Sequence, residues 1–220
     1  MLQAKEPRRR RHTEPSNEQR SRPAESEEPP IGRSMVDPHC LNTASLLDAC
    51  VFATEQHKEQ KRKSSNLPYI IHPMRLARMG AGLGYGNDVL IPCMLHDVLE
   101  DTECSEELMT EHFGAAVVET VKHVTKDPNL HGEESKRAQE QDIYSYNTQA
   151  CIVKLLDIID NVDSIKCRPI WGPERTEAYL QHKKASLDIL FQVLPYDDHK
   201  VLFDIAFEHL DMEKPVTLSM

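Results

Sequence analysis

Residues 95–101 read Leu-His-Asp-Val-Leu-Glu-Asp and follow directly on an apolar stretch that predicts a buried helix. Burying an imidazole and carboxylates there without partners would be unfavourable. A shared cation resolves this for His96 and Asp97, and mixed nitrogen and oxygen ligands suit zinc, manganese or iron better than calcium. Glu100 and Asp101 follow one turn later, and we expect them to face the same cavity, where a metal-bound water needs a base and a departing group needs a proton donor.

Two other segments place metal-competent groups among apolar residues. His72 follows two isoleucines, and Asp157 is flanked by leucines and isoleucines, with Asn161 four residues later on the same helix face. A carboxylate on such a face is strongly desolvated unless it meets a cation. Each feature also has an ordinary explanation, such as a helix cap at the histidine or an ion pair of the aspartate with Lys154 or Lys166. Three such features in one chain favour a metal site.

The order of these groups, a histidine, then His-Asp, then a later aspartate, resembles the HD phosphohydrolase superfamily. The longer motifs PYIIHP at 68–73, HDVLEDT at 96–102 and KLLDIIDN at 154–161 resemble the hydrolase domain of RelA/SpoT-type enzymes. The resemblance spans residues 43–195 and includes no synthetase or regulatory domain. The chain is therefore similar to the small stand-alone alarmone hydrolases.

The resemblance implies roles position by position. Four side chains would bind one divalent metal ion, usually manganese in this family, and these are His72, His96, Asp97 and Asp157. Glu100 and Asp101 would act on the water and in proton transfer, and Asn161 would help to hold the ribose-phosphate of the substrate. The implied reaction removes the 3′-pyrophosphate of guanosine tetra- or pentaphosphate by attack of metal-activated hydroxide on phosphorus.

The loop before the first motif departs from the family pattern Arg-x-Ser-Gly-x-Pro-Tyr. Lys63 replaces the arginine, and an ammonium stacks on a base less well than a planar guanidinium does. Arg62 is a candidate to take over that role. Asn66 replaces the glycine, and asparagine is accepted in a left-handed turn. Ile158 stands where a basic residue usually follows the aspartate. These changes leave the implied ligands intact and bear on guanine recognition.

Other candidate substrate contacts lie outside the motifs. Lys136 and Arg137, on a predicted polar helix, could meet phosphates, although the same pattern is typical of an ordinary surface helix. Tyr144 and Tyr146 could line a base pocket or pack on a helix surface. We expect Trp171 to anchor its loop in the core.

Two other functions are compatible with the sequence. The first keeps the metal and changes the substrate to another nucleotide or to the 2′-phosphate of NADPH. The second is a non-catalytic nucleotide-binding or interaction module on an HD fold. The presence of all four implied ligands and both acidic residues favours an enzyme.

Hydrophobic periodicity predicts an all-α protein, an irregular multi-helix HD-domain bundle of about seven to nine helices. No region alternates with period two, and no Asn-Gly or Asp-Gly hairpin turn occurs. The predicted helical stretches are 44–60, 74–79, 88–99, 105–112, 115–125, 133–142, 150–165, 174–194 and 197–211.

Residues 1–38 differ from the rest in composition. They hold six of the fourteen prolines and almost no large apolar residues, so we expect a disordered tail before an HD hydrolase domain at 39–220. The four arginines Arg8–Arg11 could touch an anionic partner or act as a targeting signal, although a solvated tail is the simpler interpretation.

Composition also restricts the partners. The formal charge is −10, and the acidic balance lies outside the tail, which disfavours nucleic acid as the main partner. No apolar run approaches the roughly 18 residues of a membrane span, and no secretory signal precedes the domain. The six scattered cysteines form no CxxC pair and are expected to be reduced thiols. We expect a cytoplasmic protein with a nucleotide substrate and no membrane partner, and a homo-oligomer stays open.

Overall fold

The computed structural model describes residues 42–63 and 65–214, so the predicted tail at 1–38 lies outside the described residues. Within the described ranges the chain forms α-helices and two short 3-10 helices. These ranges contain no β-strand, only one isolated bridge between Lys61 and Pro68. The predicted all-α class is confirmed. The α-helices are α1 (Thr43–Gln56), α2 (Ile71–Gly82), α3 (Asn87–Leu95), α4 (Val98–Asp101), α5 (Glu106–Phe113), α6 (Ala115–Val124), α7 (Gly132–Asp142), α8 (Thr148–Cys167), α9 (Pro173–Val193) and α10 (Lys200–His209).

Helix α8 is the element around which the others pack. Every residue from Ala150 to Asp160 is buried, as expected of a helix with neighbours on all sides. Helices α2, α3, α6, α9 and α10 contact it. The helix begins at an N-cap, because the side-chain oxygen of Asn147 accepts a hydrogen bond from the Ala150 N–H at 2.7 Å. Polar side chains on α8 are therefore held inside the molecule.

The predicted helix at 88–99 is interrupted at the histidine–aspartate pair. Helix α3 ends at Leu95 and α4 begins at Val98, which leaves His96 and Asp97 at the junction. Consecutive side chains of a continuous α-helix point about 100° apart. The break lets both side chains turn toward one space, and it also explains why ten α-helices are described where nine stretches were predicted.

Helix α2 begins three residues earlier than predicted. It starts at Ile71, so that Pro73 occupies the third helical position, where its missing N–H would have no partner within the helix. His72 consequently lies in the first turn of α2. The same helix approaches its neighbours closely at Gly80, where an added β-carbon would lie 2.9 Å from Cδ2 of Leu90.

The loop before α2 is folded back by its own hydrogen bonds. The Arg62 N–H donates to the Leu67 carbonyl at 2.8 Å, and the Asn66 N–H donates to the Arg62 carbonyl at 2.8 Å. Asn66 has a φ of 57°, which confirms the predicted left-handed turn. The fold thus places the basic loop beside the first turn of α2.

Two further sequence expectations concern the whole chain. Cys93 and Cys151 are buried and unpaired, and the expectation of reduced thiols stays a prediction. Among the described helices, none combines the length and the apolar composition that crossing a bilayer requires.

Candidate functional site

Three helices bring three metal-competent side chains together. His72 comes from the first turn of α2, His96 from the end of α3 and Asp157 from the middle of α8, and one ligand atom of each lies within 4.8 Å of the others. All three residues are buried. Nε2 of His72 is 3.3 Å from Oδ1 of Asp157, and Nε2 of His96 is 3.9 Å from the same oxygen. Such spacings allow all three atoms to bind one divalent ion.

The hydrogen bonds of the two imidazoles fix which ring nitrogen is free. Nδ1 of His96 lies 2.9 Å from the carbonyl oxygen of Cys93, which can only accept, so this nitrogen carries the proton. Nδ1 of His72 lies 2.7 Å from a carboxylate oxygen of Asp160 and donates in the same way. In the neutral form of the two imidazoles, which is the form that binds metals, both Nε2 atoms therefore turn a lone pair toward the shared space, and Nε2 of His96 is then buried without a hydrogen-bond partner. Histidine ligands of metals have this arrangement.

Asp97 lies beside the three converging residues. Its Oδ2 is 2.9 Å from Nε2 of His96 and 3.7 Å from Nε2 of His72, and it accepts a hydrogen bond from the hydroxyl of Tyr69. Burial opposes its ionisation, but the imidazoles hold the pKa of Asp97 well below its usual range. The carboxylate is thus ionised, oriented by the tyrosine and within reach of the same ion.

The pKa of His96 shows that its surroundings favour a positive charge. Burial alone would lower it, yet the carboxylates of Asp97 and Asp157 raise the pKa of His96 to about 9. The carboxylates therefore stabilise a cation at this position, and a divalent ion can replace the proton.

Asp157 is oriented from two sides. The side-chain amide of Asn161 donates to its Oδ1, and Nζ of Lys154 lies 3.8 Å from its Oδ2. Burial would raise the pKa of Asp157, but the adjacent imidazole of His72 and the ammonium groups of Lys183 and Lys154 hold it well below its usual range. The residue is charged at neutral pH.

Asp160 was not predicted as a site residue. Its carboxylate accepts the proton of His72 Nδ1, and it lies 3.4 Å from the guanidinium of Arg62 and 3.7 Å from that of Arg75. A signal for it was present in the sequence. Asp160 lies in the same apolar stretch as Asp157, so its carboxylate would also be strongly desolvated without a partner.

The two predicted catalytic residues line the wall of the same cavity. Glu100 accepts hydrogen bonds from the ammonium group and, at 3.1 Å, from the backbone N–H of Lys126. Asp101 lies at the open rim, and its backbone carbonyl accepts a hydrogen bond from Gln60 at 2.6 Å. Burial and the carboxylates of Asp97 and Glu100 raise the pKa of Asp101. A raised pKa suits a group that accepts and releases a proton.

The site opens into two adjoining cavities of about 710 Å³ and 520 Å³, a size that suits a nucleotide. The larger one contains the candidate metal centre and is mainly polar. The smaller one is bounded by Ile165, Ile170 and Trp171. Residues lining both are Arg62, Lys63, Tyr69, Asp101, Lys126, Asn161 and Tyr179.

Of the six predicted substrate contacts, four line the larger cavity: Arg62, Lys63, Lys136 and Asn161. The other two do not. Arg137 lines a separate surface depression, because it points about 100° away from its neighbour Lys136 on α7. Tyr146 packs against the ring of His123, with 5.6 Å between ring centroids, and Tyr144 is exposed.

The expectation for Trp171 requires correction. The residue is half-buried and lines the smaller cavity instead of the core. The guanidinium of Arg175 lies over its ring at 4.6 Å. All residues of the loop Arg168–Pro173 are exposed or half-buried, so the loop lies at the surface and its indole lies beside the cavity.

Helix α9 supplies a wall of the cavity that the sequence did not predict. Four of its side chains line the larger cavity, namely Arg175, Tyr179, His182 and Lys183. Helix α9 has mixed charges and no apolar stretch around these residues, so its pattern is that of a solvated helix. Only its packing against α8 shows which of its basic groups face the metal centre.

Comparisons with known proteins agree with this geometry. A family model described as HD domain matches residues 49–167. The guanosine-3′,5′-bis(diphosphate) 3′-pyrophosphohydrolase MESH1 of Xenopus tropicalis is 38% identical over 145 residues, which are 64% of this chain and 81% of that protein. The human protein of the same name is 35% identical over 143 residues, covering 63% and 80%.

A solved structure described as a metazoan ortholog of SpoT that hydrolyzes ppGpp superposes with a TM-score of 0.69 and 27% identity, covering 77% of this chain and 97% of that one. The family model spans more than half of the chain, and the chain spans about four fifths of the MESH1 relatives. The predicted resemblance is confirmed, and the chain belongs to the HD domain family, with MESH1 and SpoT-like hydrolases as its relatives.

Proposed function

We propose that this protein is a metal-dependent hydrolase that converts guanosine tetra- or pentaphosphate to GDP or GTP and pyrophosphate. The observation that supports it most strongly is the pair of buried imidazole lone pairs that converge on Asp157, each fixed by a hydrogen bond on the opposite ring nitrogen. The names of the relatives supply the substrate class.

The residues that would hold the metal are His72, His96, Asp97 and Asp157. Two nitrogen and two oxygen donors fit manganese, which we propose as the ion, and they disfavour calcium. A divalent ion bound there supplies Lewis-acid chemistry, because it lowers the pKa of a water and draws charge from a phosphate.

We assign proton transfer and the orientation of a water to the acidic residues of α4. We assign proton transfer to Asp101, whose raised pKa allows it to hold a proton near neutral pH better than an ordinary aspartate. Glu100 is held by Lys126, so its carboxylate is fixed at the cavity wall where it can orient a water.

The two cavities suggest how a nucleotide lies in the site. We place its phosphates in the larger cavity with Lys63, Lys136 and Asn161, and its base in the smaller cavity beside Trp171. The basic loop lies at the junction of the two cavities, where a ribose would connect base and phosphates.

One observation favours a second candidate, the same chemistry on another nucleotide, such as the 2′-phosphate of NADPH. The guanidinium of Arg62 donates to Asn161 at 2.9 Å and lies near Asp160, so it is engaged within the protein. Lys63 alone lacks a planar group to stack on guanine.

A nucleotide panel with manganese titration separates these candidates. We expect guanosine tetraphosphate to be consumed with release of pyrophosphate, measured by anion-exchange chromatography of the products. Survival of guanosine tetraphosphate while another nucleotide releases orthophosphate would support the second candidate. If nucleotides bind and none is cleaved at any manganese concentration, the protein is a binding module and both enzymatic proposals fail.

A further inference from the structure

Within the described part of the chain, Lys183 is a buried cation without a direct ion pair. It lies on α9, its side chain is 6% exposed, and it lines the larger cavity. Among the described residues no carboxylate forms a direct ion pair with it and no group accepts a hydrogen bond from it, and the charge of Asp157 acts on it from a longer distance. Its one close polar neighbour is the face of Tyr179, with 5.4 Å between Nζ and the ring centroid. An ammonium group in this position is strongly destabilised unless an anion accompanies it.

Five other basic groups of the same cavity have acidic partners within the protein, and Lys63 and Arg175, which lack one among the described residues, are exposed. Nζ of Lys154, which is equally buried, lies 3.8 Å from Asp157. The remaining pairs at the cavity are Lys126 with Glu100, Lys136 with Glu133, His182 with Glu140 and Arg62 with Asp160. Lys183 therefore combines burial with the lack of a direct ion pair to any described residue, and the more distant charge of Asp157 offsets its own only in part.

The surroundings of Lys183 disfavour its positive charge further. Burial, and then the ammonium of Lys154, lower the pKa of Lys183 to about 8, so the group is still mainly protonated at neutral pH. The two lysines project from adjacent helices, α8 and α9, toward the cavity that contains the metal centre. An anion between them would offset both the repulsion and the desolvation.

We propose that Lys183, together with Lys154, forms a diphosphate-binding subsite next to the metal centre. This inference rests on the proposed function, because it assigns to the subsite the 3′-diphosphate group that the reaction transfers from the ribose to water. The subsite would place this group beside the residues that would hold the metal, and its ammonium groups would stabilise the negative charge on the diphosphate oxygens while water attacks phosphorus and the bond to the ribose 3′-oxygen breaks.

The test is the binding of inorganic pyrophosphate to the manganese-loaded protein, measured by isothermal titration calorimetry. Loss of one buried charged contact predicts that Lys183→Met binds pyrophosphate about 10- to 100-fold more weakly than the unaltered protein. Lys184→Met is the matched control, because Lys184 is the next residue on α9, carries the same charge and does not line the cavity. We expect this control to bind pyrophosphate within about 2-fold of the unaltered protein.

Two further measurements separate a binding role from a structural one. Removal of an uncompensated buried charge predicts an equal or higher melting temperature for Lys183→Met and an unchanged manganese affinity. Lys183→Arg keeps the charge and should keep most of the pyrophosphate affinity. The inference is overturned if Lys183→Met binds pyrophosphate as tightly as the unaltered protein, or if it loses manganese to the same extent as pyrophosphate.

The outcome is independent of the nucleoside. If guanosine tetraphosphate is not cleaved but Lys183→Met still loses pyrophosphate binding, the proposed function fails and the subsite stands. If guanosine tetraphosphate is cleaved equally well by the unaltered protein and by Lys183→Met, and both bind pyrophosphate equally, the function stands and the subsite fails.

Discussion

At the scale of single residues, the site consists of polar groups whose partners are inside the protein. The apolar surroundings of His72, His96 and Asp157 were sufficient to single them out, because such groups are unstable without compensation. Asp160 has the same apolar surroundings and could have been predicted in the same way. Lys183 could not, since a lysine in a charged helix carries no such signal and its burial depends on how α9 packs on α8.

The hydrogen bond from His72 to Asp160 leads to the first prediction. Asp160→Asn replaces the anionic acceptor that fixes the tautomer of His72. Because changes to such supporting partners typically weaken a site 10- to 100-fold, we expect manganese affinity to fall by about that factor. Isothermal titration calorimetry measures it, and Asp163→Asn, an exposed change on the same helix, is the control. Equal affinities of the two variants would show that Asp160 does not orient the ligand.

The raised pKa of His96 leads to a second prediction. Metal binding needs the neutral imidazole, so a proton competes with the ion at every pH below about 9. The apparent manganese affinity should therefore rise with pH, by about tenfold per unit between roughly pH 6.5 and 8.5 if one proton is displaced. Calorimetry across that range measures the slope. An affinity that levels off above pH 7 would mean that the histidine titrates at its ordinary pKa.

At the scale of elements, periodicity predicted the helices well and their interruptions poorly. The predicted stretches 105–112 and 133–142 match α5 and α7 to within a residue or two, because capping residues and composition mark their ends. The break at His96 and Asp97 has no local signal. It depends on the site itself, where two adjacent side chains are drawn to one side.

Close contact between α2 and α3 leads to a third prediction. Gly80→Val places a branched side chain where a β-carbon already lies 2.9 Å from the buried Leu90. Overpacking predicts a loss of about 1–3 kcal/mol in the free energy of unfolding, which urea denaturation measures. Gly82→Val is the control, since a β-carbon there meets no atom within 4 Å. Equal stability of the two variants would show that α2 can move away without loss.

At the scale of the whole molecule, the metal centre connects parts of the chain that are far apart in sequence. Its candidate ligands come from α2, the α3–α4 junction and α8, and α8 contacts most of the other helices. The order of the motifs indicated the family, but the geometry that joins residues 72, 96 and 157 depends on tertiary packing. Sequence alone therefore predicted the candidate metal ligands and the acidic residues of α4. It did not predict the basic residues of α9 that line the same cavity.

This arrangement predicts that manganese stabilises the entire domain. An ion that binds only the folded state adds about 2.7 kcal/mol to the free energy of unfolding at a concentration 100 times its Kd. The melting temperature should rise on addition of manganese and fall after chelation, as measured by differential scanning calorimetry. An unchanged melting temperature at saturating manganese would indicate that the three segments do not share an ion.

The most direct test of the central claim is product analysis of guanosine tetraphosphate incubated with the metal-stripped protein before and after manganese is restored, with Asp157→Asn treated in parallel. We expect GDP and pyrophosphate in equal amounts only from the unaltered protein with manganese. Equal product formation by the metal-stripped protein or by Asp157→Asn would contradict the assignment of a metal-dependent hydrolase to this site.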